Sequence, residues 1–170
     1  MAEGAHWFVS EILPLIRQEV PAVSLYLVGK GSDRHLGSVV ERGDPRTIVT
    51  GRVSSMLPFL SNADVCIVPL RFESGTRFKI LEAGACGTPV VSTTLGAEGL
   101  PVESGRHLLI ADRPEKFAEA VVRVLRDKDL AMLLAGELRS LVESRFGIDR
   151  LTAEGAAILT YLQEHPGMSR

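Results

Sequence analysis

The sequence predicts an α/β fold, a doubly wound, Rossmann-like parallel sheet of about five strands with helices on both faces. Two observations carry this. Short, unbroken apolar runs such as Val65–Val68 and Val90–Val91 suit strands covered on both faces, because a strand with one wet face would alternate polar and apolar residues. These runs also alternate with stretches of helical periodicity, the pattern of repeated βαβ units.

The chain has 170 residues, enough for one domain that removes roughly 70% of its unfolded surface from water. Hydrophobic residues make up 45% and charged residues 24%, the balance of an ordinary globular domain. With a net charge of −2, dispersed basic residues and few aromatics, the chain lacks the basic stripe and stacking platform of a nucleic-acid binder. No apolar run approaches the ~20 residues of a transmembrane segment, and no signal-peptide pattern opens the chain. Cys66 and Cys86 lie in apolar elements without a C-x-x-C spacing, so they read as reduced, buried thiols of a cytoplasmic protein.

The elements follow in order. Phe8, Ile12, Leu15, Ile16 and Glu19 recur at helical spacing over Ala5 to Glu19, and Pro14 should kink this helix or start a new turn. Ser24 to Val28 is a strand ending at Gly29-Lys30-Gly31-Ser32. Arg34 stands where a dinucleotide fingerprint needs its third glycine, so a nicotinamide or flavin site is disfavoured. The glycines make a tight turn, and Lys30 either lies near a ligand or is only part of that turn. His35 to Val40 reads as a short helix and Arg46 to Thr50 as the next strand, closed by Gly51. Ser54 to Ala63 is a helix with Met56, Leu57 and Leu60 apolar and Ser54 or Ser55 as cap. Thr94 to Pro101 reads as a loop and Leu108 to Ile110 as the last strand. Asp112 caps a helix running to Arg126, with Phe117, Val121, Val124 and Leu125 inward. Asp129 caps one from Leu130 to Arg145, and Asp149 begins one to Glu164.

The stretch from Val65 to Thr93 organises the rest. The strand Val65–Val68 ends at Pro69, and the loop Leu70–Gly75 feeds a helix beginning near Thr76. A helix start presents free N–H groups and the positive end of the dipole, which suits a phosphate. Gly75 permits close approach of an anion, and Arg77 and Lys79 add positive charge. Phe78, Leu81 and Ala85 share a face expected to pack on the sheet. Glu82 lies off that stripe, three residues from Lys79, and Gly87-Thr88-Pro89 stops the helix before Val90-Val91.

The run from Gly75 through Thr76, Arg77, Phe78, Lys79 and Glu82 to Ser92 resembles the donor-site signature of family 4 (group 1) glycosyltransferases. These are retaining enzymes of the two-domain GT-B architecture. The similarity extends through Gly96–Leu100 and Gly105–Leu109 and back to Trp7-Phe8 and Leu13–Arg17, nearly the whole chain. It implies that residues 1–170 form a single nucleotide-sugar-binding domain, the C-terminal half of such an enzyme, with the acceptor-binding domain absent. The implied ligand is a UDP-, GDP- or ADP-linked sugar. The diphosphate would lie at Gly75, Thr76, Arg77 and Lys79, the ribose hydroxyls at Glu82, and the base beside Arg52 and Val53. Arg52 read without the family is equally a solvated surface residue, and Glu82 an intrahelical partner of Lys79.

Many relatives place a glutamate eight positions before the ribose-binding one, against the transferred sugar. Here that position is Ser74, with Glu73 one residue out of register, so the catalytic group is open between two weak candidates. Asp127-Lys128-Asp129 spells a metal-binding Asp-x-Asp but falls between two predicted helices, where acids serve as caps. The four histidines lack ligand spacing, and the site is expected to need no metal or cofactor.

The family's opening strand has too little chain before Trp7 to form. A partner chain or domain is therefore expected, as is self-association through the strand edge that this exposes or through Leu151, Ile158, Leu159 and Leu162. A non-catalytic nucleotide-binding subunit and a nucleotide-sugar epimerase of the same architecture are the alternatives.

Overall fold

In the computed structural model, residues 2–29, 44–72 and 78–165 are described. The predicted helix over His35–Val40 lies outside them, as do Lys30, Gly31 and Ser32.

The chain opens with α1 (Ala2–Trp7), a π-helical turn (Phe8–Ile12) and α2 (Leu13–Glu19), which run on as one helix. Pro14 explains the change of pitch. It has no N–H to give to the Ser10 carbonyl, and in a regular helix its ring would collide with that oxygen. The turn before it widens instead, and the Leu13 amide reaches back five residues to the Phe8 carbonyl. The apolar face survives the insertion, because Trp7, Phe8, Ile12, Leu13 and Ile16 are all buried.

All five expected strands are present: β1 (Leu25–Val28), β2 (Thr47–Gly51), β3 (Cys66–Val68), β4 (Val90–Ser92) and β5 (Leu109–Ile110). Every pair is parallel, and hydrogen bonding divides the described strands into two groups, β1–β2 and β3–β4–β5. The connecting helices are α3 (Leu57–Ser61), α4 (Phe78–Ala85), α5 (Thr94–Ala97) and α6 (Pro114–Arg126). α7 (Lys128–Phe146) and α8 (Ile148–Glu164) follow.

Side chains leave the strands alternately toward two apolar layers, which is why the runs show no polar alternation. Leu25, Leu27, Val65, Ile67, Val91 and Leu109 face the layer built by the N-terminal helix and α6, around Trp7, Phe8 and Phe117. Cys66, Val68, Val90, Leu108 and Ile110 face the layer of α3, α4 and α7, around Leu60, Ile80 and Leu138. Trp7 and Phe8 each meet Phe117 edge-on at 6.0 Å between ring centroids, the arrangement that aromatic quadrupoles favour.

Several local expectations are corrected. α4 buries Ile80, Ala83 and Gly84, with Leu81 half-buried against the same core, whereas Ala85 is exposed and Phe78 is 61% exposed. The small pair Ala83-Gly84 brings the helix close to α7. A Cβ on Gly84 would lie 2.9 Å from both Leu138 Cγ and Val142 Cγ2, so the narrowest face goes inward rather than the bulkiest. Leu57 is likewise exposed. Asp112 does not cap α6, because its carboxylate takes the Thr94 amide and hydroxyl at 2.8 and 2.7 Å. Asp127, not Asp129, caps α7 by accepting the Leu130 amide. The Thr94–Pro101 loop contains α5, capped where Thr93 Oγ1 accepts the Gly96 amide. On α8, Leu151, Ile158, Leu159 and Leu162 are all exposed.

The entry to β2 is held by Asp44. Its carboxylate accepts from Thr47 Oγ1 at 2.6 Å, the Arg46 amide at 3.1 Å and the Arg17 guanidinium at 2.7 Å. These bonds, led by the one from Thr47, lower its pKa from 3.8 to about 2. A carboxyl group with a depressed folded-state pKa contributes stability above its unfolded value and loses it as pH falls through the folded one. Acid titration should therefore show stability falling between about pH 4 and pH 2 on account of this group. Asp44→Asn should flatten that limb while lowering the melting temperature at neutral pH. An unchanged acid limb in the variant would assign it to other carboxylates.

Candidate functional site

Within each group the parallel strands end on the same side, and the described parts of the predicted site follow these carboxyl ends. The exit of β3 is fixed from three directions. The Val68 carbonyl accepts the Leu70 amide at 3.0 Å, the Thr93 amide at 3.2 Å and the Ser92 hydroxyl at 3.3 Å. Thr93 Oγ1 donates to the Leu70 carbonyl at 2.5 Å, tying the β3 exit to the β4 exit. Gly96 presses into this knot, and any Cβ there would overlap Ser92 Oγ and approach the Val68 carbonyl oxygen within 2.7 Å. From the other side, Gly4 packs so closely that a side chain would collide with the Pro69 carbonyl. Arg71 then lies 5.1 Å over the Trp7 ring and 3.5 Å from Glu3, which anchors the chain two residues before Glu73.

Glu73, Ser74, Gly75, Thr76 and Arg77 lie outside the described residues, and α4 is described from Phe78. Lys79 and Glu82 project from its first turns and both are exposed. Among the described residues the Glu82 carboxylate has no hydrogen bond and no ion pair, so the intrahelical pair with Lys79 is not formed. The far end of α4 is a Schellman stop. Gly87, at φ +70°, gives its amide to the Gly84 carbonyl, and Thr88 gives its own to Ala83, each at 2.9 Å.

Arg52 and Val53 follow the end of β2. Gly51 turns the chain with φ +66°, and its carbonyl accepts the Gly29 amide at 3.0 Å, so the ends of β1 and β2 are locked together. Arg52 is exposed and Val53 half-buried. The structure thus groups Lys79 with Glu82 on one helix and sets Arg52 and Val53 at the exit of β2, in the other strand group.

Other titratable groups have structural settings. Burial pushes the Cys66 thiol up to about 11, which keeps it protonated and unreactive at neutral pH. His107 is buried, and its Nδ1 accepts the Glu103 amide at 3.0 Å. No group of three potential metal ligands occurs among the described residues, and none of the described helices is long and apolar enough to cross a membrane. A surface depression of about 470 Å³ lies between β5 and α6, lined by residues including Asp112, Arg113, Lys116 and Arg123, and involves no predicted site residue. The sequence reading did not foresee the positioning contacts of Thr93, Gly96 and Asp112, having placed Gly96 only in the family similarity and Asp112 as a helix cap. For Thr93 the signal was a hydroxyl residue directly after β4, a common capping position.

A parallel α/β sheet with its glycine-turned exits on one edge is the architecture of the Rossmann-like halves of GT-B glycosyltransferases. The chain belongs to the group 1 glycosyltransferases, whose family profile matches residues 1–127. It is 29% identical over 160 residues to a GDP-mannose-dependent α-(1-6)-phosphatidylinositol monomannoside mannosyltransferase of Mycobacterium tuberculosis, covering 86% of this chain and 42% of that protein. The chain therefore spans about four tenths of the length of this curated relative. Among solved structures it is similar to the C-terminal domain of a group 1 glycosyltransferase from Francisella tularensis, with TM-score 0.73 and 18% identity over 85% of this chain and 80% of that one. It is also similar to an Anabaena protein in complex with UDP and glucose, with TM-score 0.69 and 18% identity over 89% and 45%.

Gly96→Ala should cost about 1–3 kcal/mol through overpacking, because the new methyl meets a backbone carbonyl that cannot move aside without disturbing the β3 exit. Calorimetry would show the lowered melting temperature. An unchanged one would mean that the knot has slack.

Proposed function

We propose that this stretch binds the nucleoside-diphosphate sugar of a retaining glycosyltransferase, with the ligand beyond the carboxyl ends of the strands. The observation that carries the reading is the Glu82 carboxylate, exposed and with no hydrogen bond or ion pair among the described residues, on the helix that follows the anchored exit of β3. A carboxylate can accept both vicinal hydroxyls of a ribose. Arg77 and Lys79, with the amides of Gly75 and Thr76, would then neutralise the diphosphate. Arg52 and Val53 would flank the base. Glycosyl transfer builds negative charge on the departing diphosphate, and preformed donors aimed at that charge lower the barrier. In this reading the protein's own cations supply that stabilisation without a metal. The nucleotide complex of the Anabaena neighbour and the nucleotide-sugar requirement in the mycobacterial relative's name support the ligand class.

A thermal-shift panel of UDP-, GDP- and ADP-sugars tests the ligand class. A donor at 100 times its Kd should stabilise the chain by about 2.7 kcal/mol. Glu82→Gln should then weaken the responding nucleotide about 10- to 150-fold by calorimetry, the loss of a hydrogen bond to a charged group worth about 1.5–3 kcal/mol. Full affinity with a lowered melting temperature would make Glu82 structural. Arg77→Ala should weaken the diphosphate far more than the bare nucleoside.

The stretch would serve as the donor half, and acceptor binding would require a further domain. Holding an acceptor in attack geometry contributes about 7–11 kcal/mol, so residues 1–170 alone should bind donor without multiple-turnover transfer. Sustained transfer by the pure chain would overturn this division of labour.

A further inference from the structure

The depression between β5 and α6 holds about 470 Å³, within the range of about 300–1,000 Å³ that small organic ligands occupy. Its apolar lining comes from Leu109 and Ile110 of β5, Ala111 just after it, and Ala120 of α6. Its charged lining is mostly cationic. Lys116, Ala120 and Arg123 follow one another at helical spacing and share one side of α6, and Arg113 stands just before the first turn.

The acids beside these cations are already engaged. The Lys116 ammonium donates to the Glu119 carboxylate at 2.6 Å. Arg123 acts on Glu119 only through space, and less than Lys116 does. The Asp112 carboxylate turns to Thr94, accepting its amide and hydroxyl at 2.8 and 2.7 Å. Arg113 and Arg123 are left over: among the described residues neither guanidinium has a hydrogen bond or an ion pair. The helical rise puts their backbones about 15 Å apart along α6, a spacing that suits two anionic groups better than one.

The backbone beside the depression is closed to a further strand. The Leu108 carbonyl accepts the Gly105 amide at 2.8 Å, and the Ile110 amide donates to Ser104 Oγ at 3.0 Å. A turn of this chain thus occupies the positions on β5 that an added strand would need. The hollow remains open to a small molecule.

We propose that this depression binds a small, elongated organic dianion, one anionic group held by Arg113 and the other by Arg123, with an apolar body against Ile110 and Ala120. A guanidinium fork matches a carboxylate or a phosphate, so an aliphatic dicarboxylate and a sugar bisphosphate both carry the required charges. The apolar lining favours the dicarboxylate. None of Arg52, Val53, Lys79 and Glu82 lines the depression, so the proposal does not depend on the donor-binding reading.

NMR of the arginine Nε–Hε groups of the full chain, titrated with suberate, octanoate and a hexose bisphosphate, tests this. Suberate should shift Arg113 and Arg123 together, with one affinity, and leave Arg139 and Arg150 in place on their glutamate partners. Octanoate has the same apolar body with one carboxylate and should bind at least about tenfold more weakly. Arg113→Gln and Arg123→Gln should each weaken suberate by at least about tenfold, while Arg139→Gln should leave its affinity unchanged. All three side chains are exposed, so the variants should fold, and their melting temperatures check this. The proposal is overturned if suberate shifts neither arginine, shifts the two with different affinities, or shifts Arg139 and Arg150 equally. It is also overturned if octanoate binds as tightly as suberate, or if the hexose bisphosphate binds where suberate does not.

Discussion

The carbonyl oxygen of Val68 collects three donors, from Leu70, Thr93 and Ser92, and the arrangement of the candidate site depends on that convergence. A strand exit is ordinarily free to wander, because its last carbonyls have no partner. Here the first residues after β3 are held by the first residues after β4, and the Gly96 backbone closes the space around them. The contacts that do this are main chain or short side chain. They depend on the absence of bulk at Gly96 and Gly4 as much as on the hydroxyls of Ser92 and Thr93. The N-terminal helix adds the second support through Arg71 on Trp7, so the chain enters the site segment from a constrained start.

Much of the fold was legible because it rests on one-dimensional patterns. Unbroken apolar runs located every strand to within a residue or two, and Pro14, Gly87 and Pro114 marked helix boundaries that the structure keeps. Periodicity was less informative about which face turns inward. On α4, Phe78 is the greasier choice, yet it is exposed and Ile80, Ala83 and Gly84 are buried, because contact with α7 rewards small residues. Caps were misassigned for a related reason. Asp112 could serve α6 or reach Thr94 across the sheet edge, and only tertiary proximity decides between them.

The site was readable through a family resemblance more than through local chemistry. Lys79 and Glu82 show up in sequence only as a charged pair at helical spacing, which has an ordinary explanation in an exposed helix. No ion pair joins the two among the described residues, which makes that explanation the weaker one. The contacts of Thr93, Gly96 and Asp112 were unreadable, since nothing in sequence brings the exits of β3, β4 and β5 side by side. The parallel register that does so is a property of the whole sheet.

The π-helical turn between Phe8 and Ile12 amounts to one residue more than a regular helix would use, and this makes the N-terminal segment a phase-sensitive element. Everything before the turn is rotated by about 100° relative to where an uninterrupted helix would put it. Gly4 on Pro69 and Trp7 on Phe117 exist in that rotated frame, while Ile16 and Arg17 belong to the frame after it. Homologous chains that differ by a single-residue insertion or deletion here can conserve every side chain and still present the wrong face at one end. Alignments across this segment should therefore be anchored separately on its two halves, with any gap placed inside the turn.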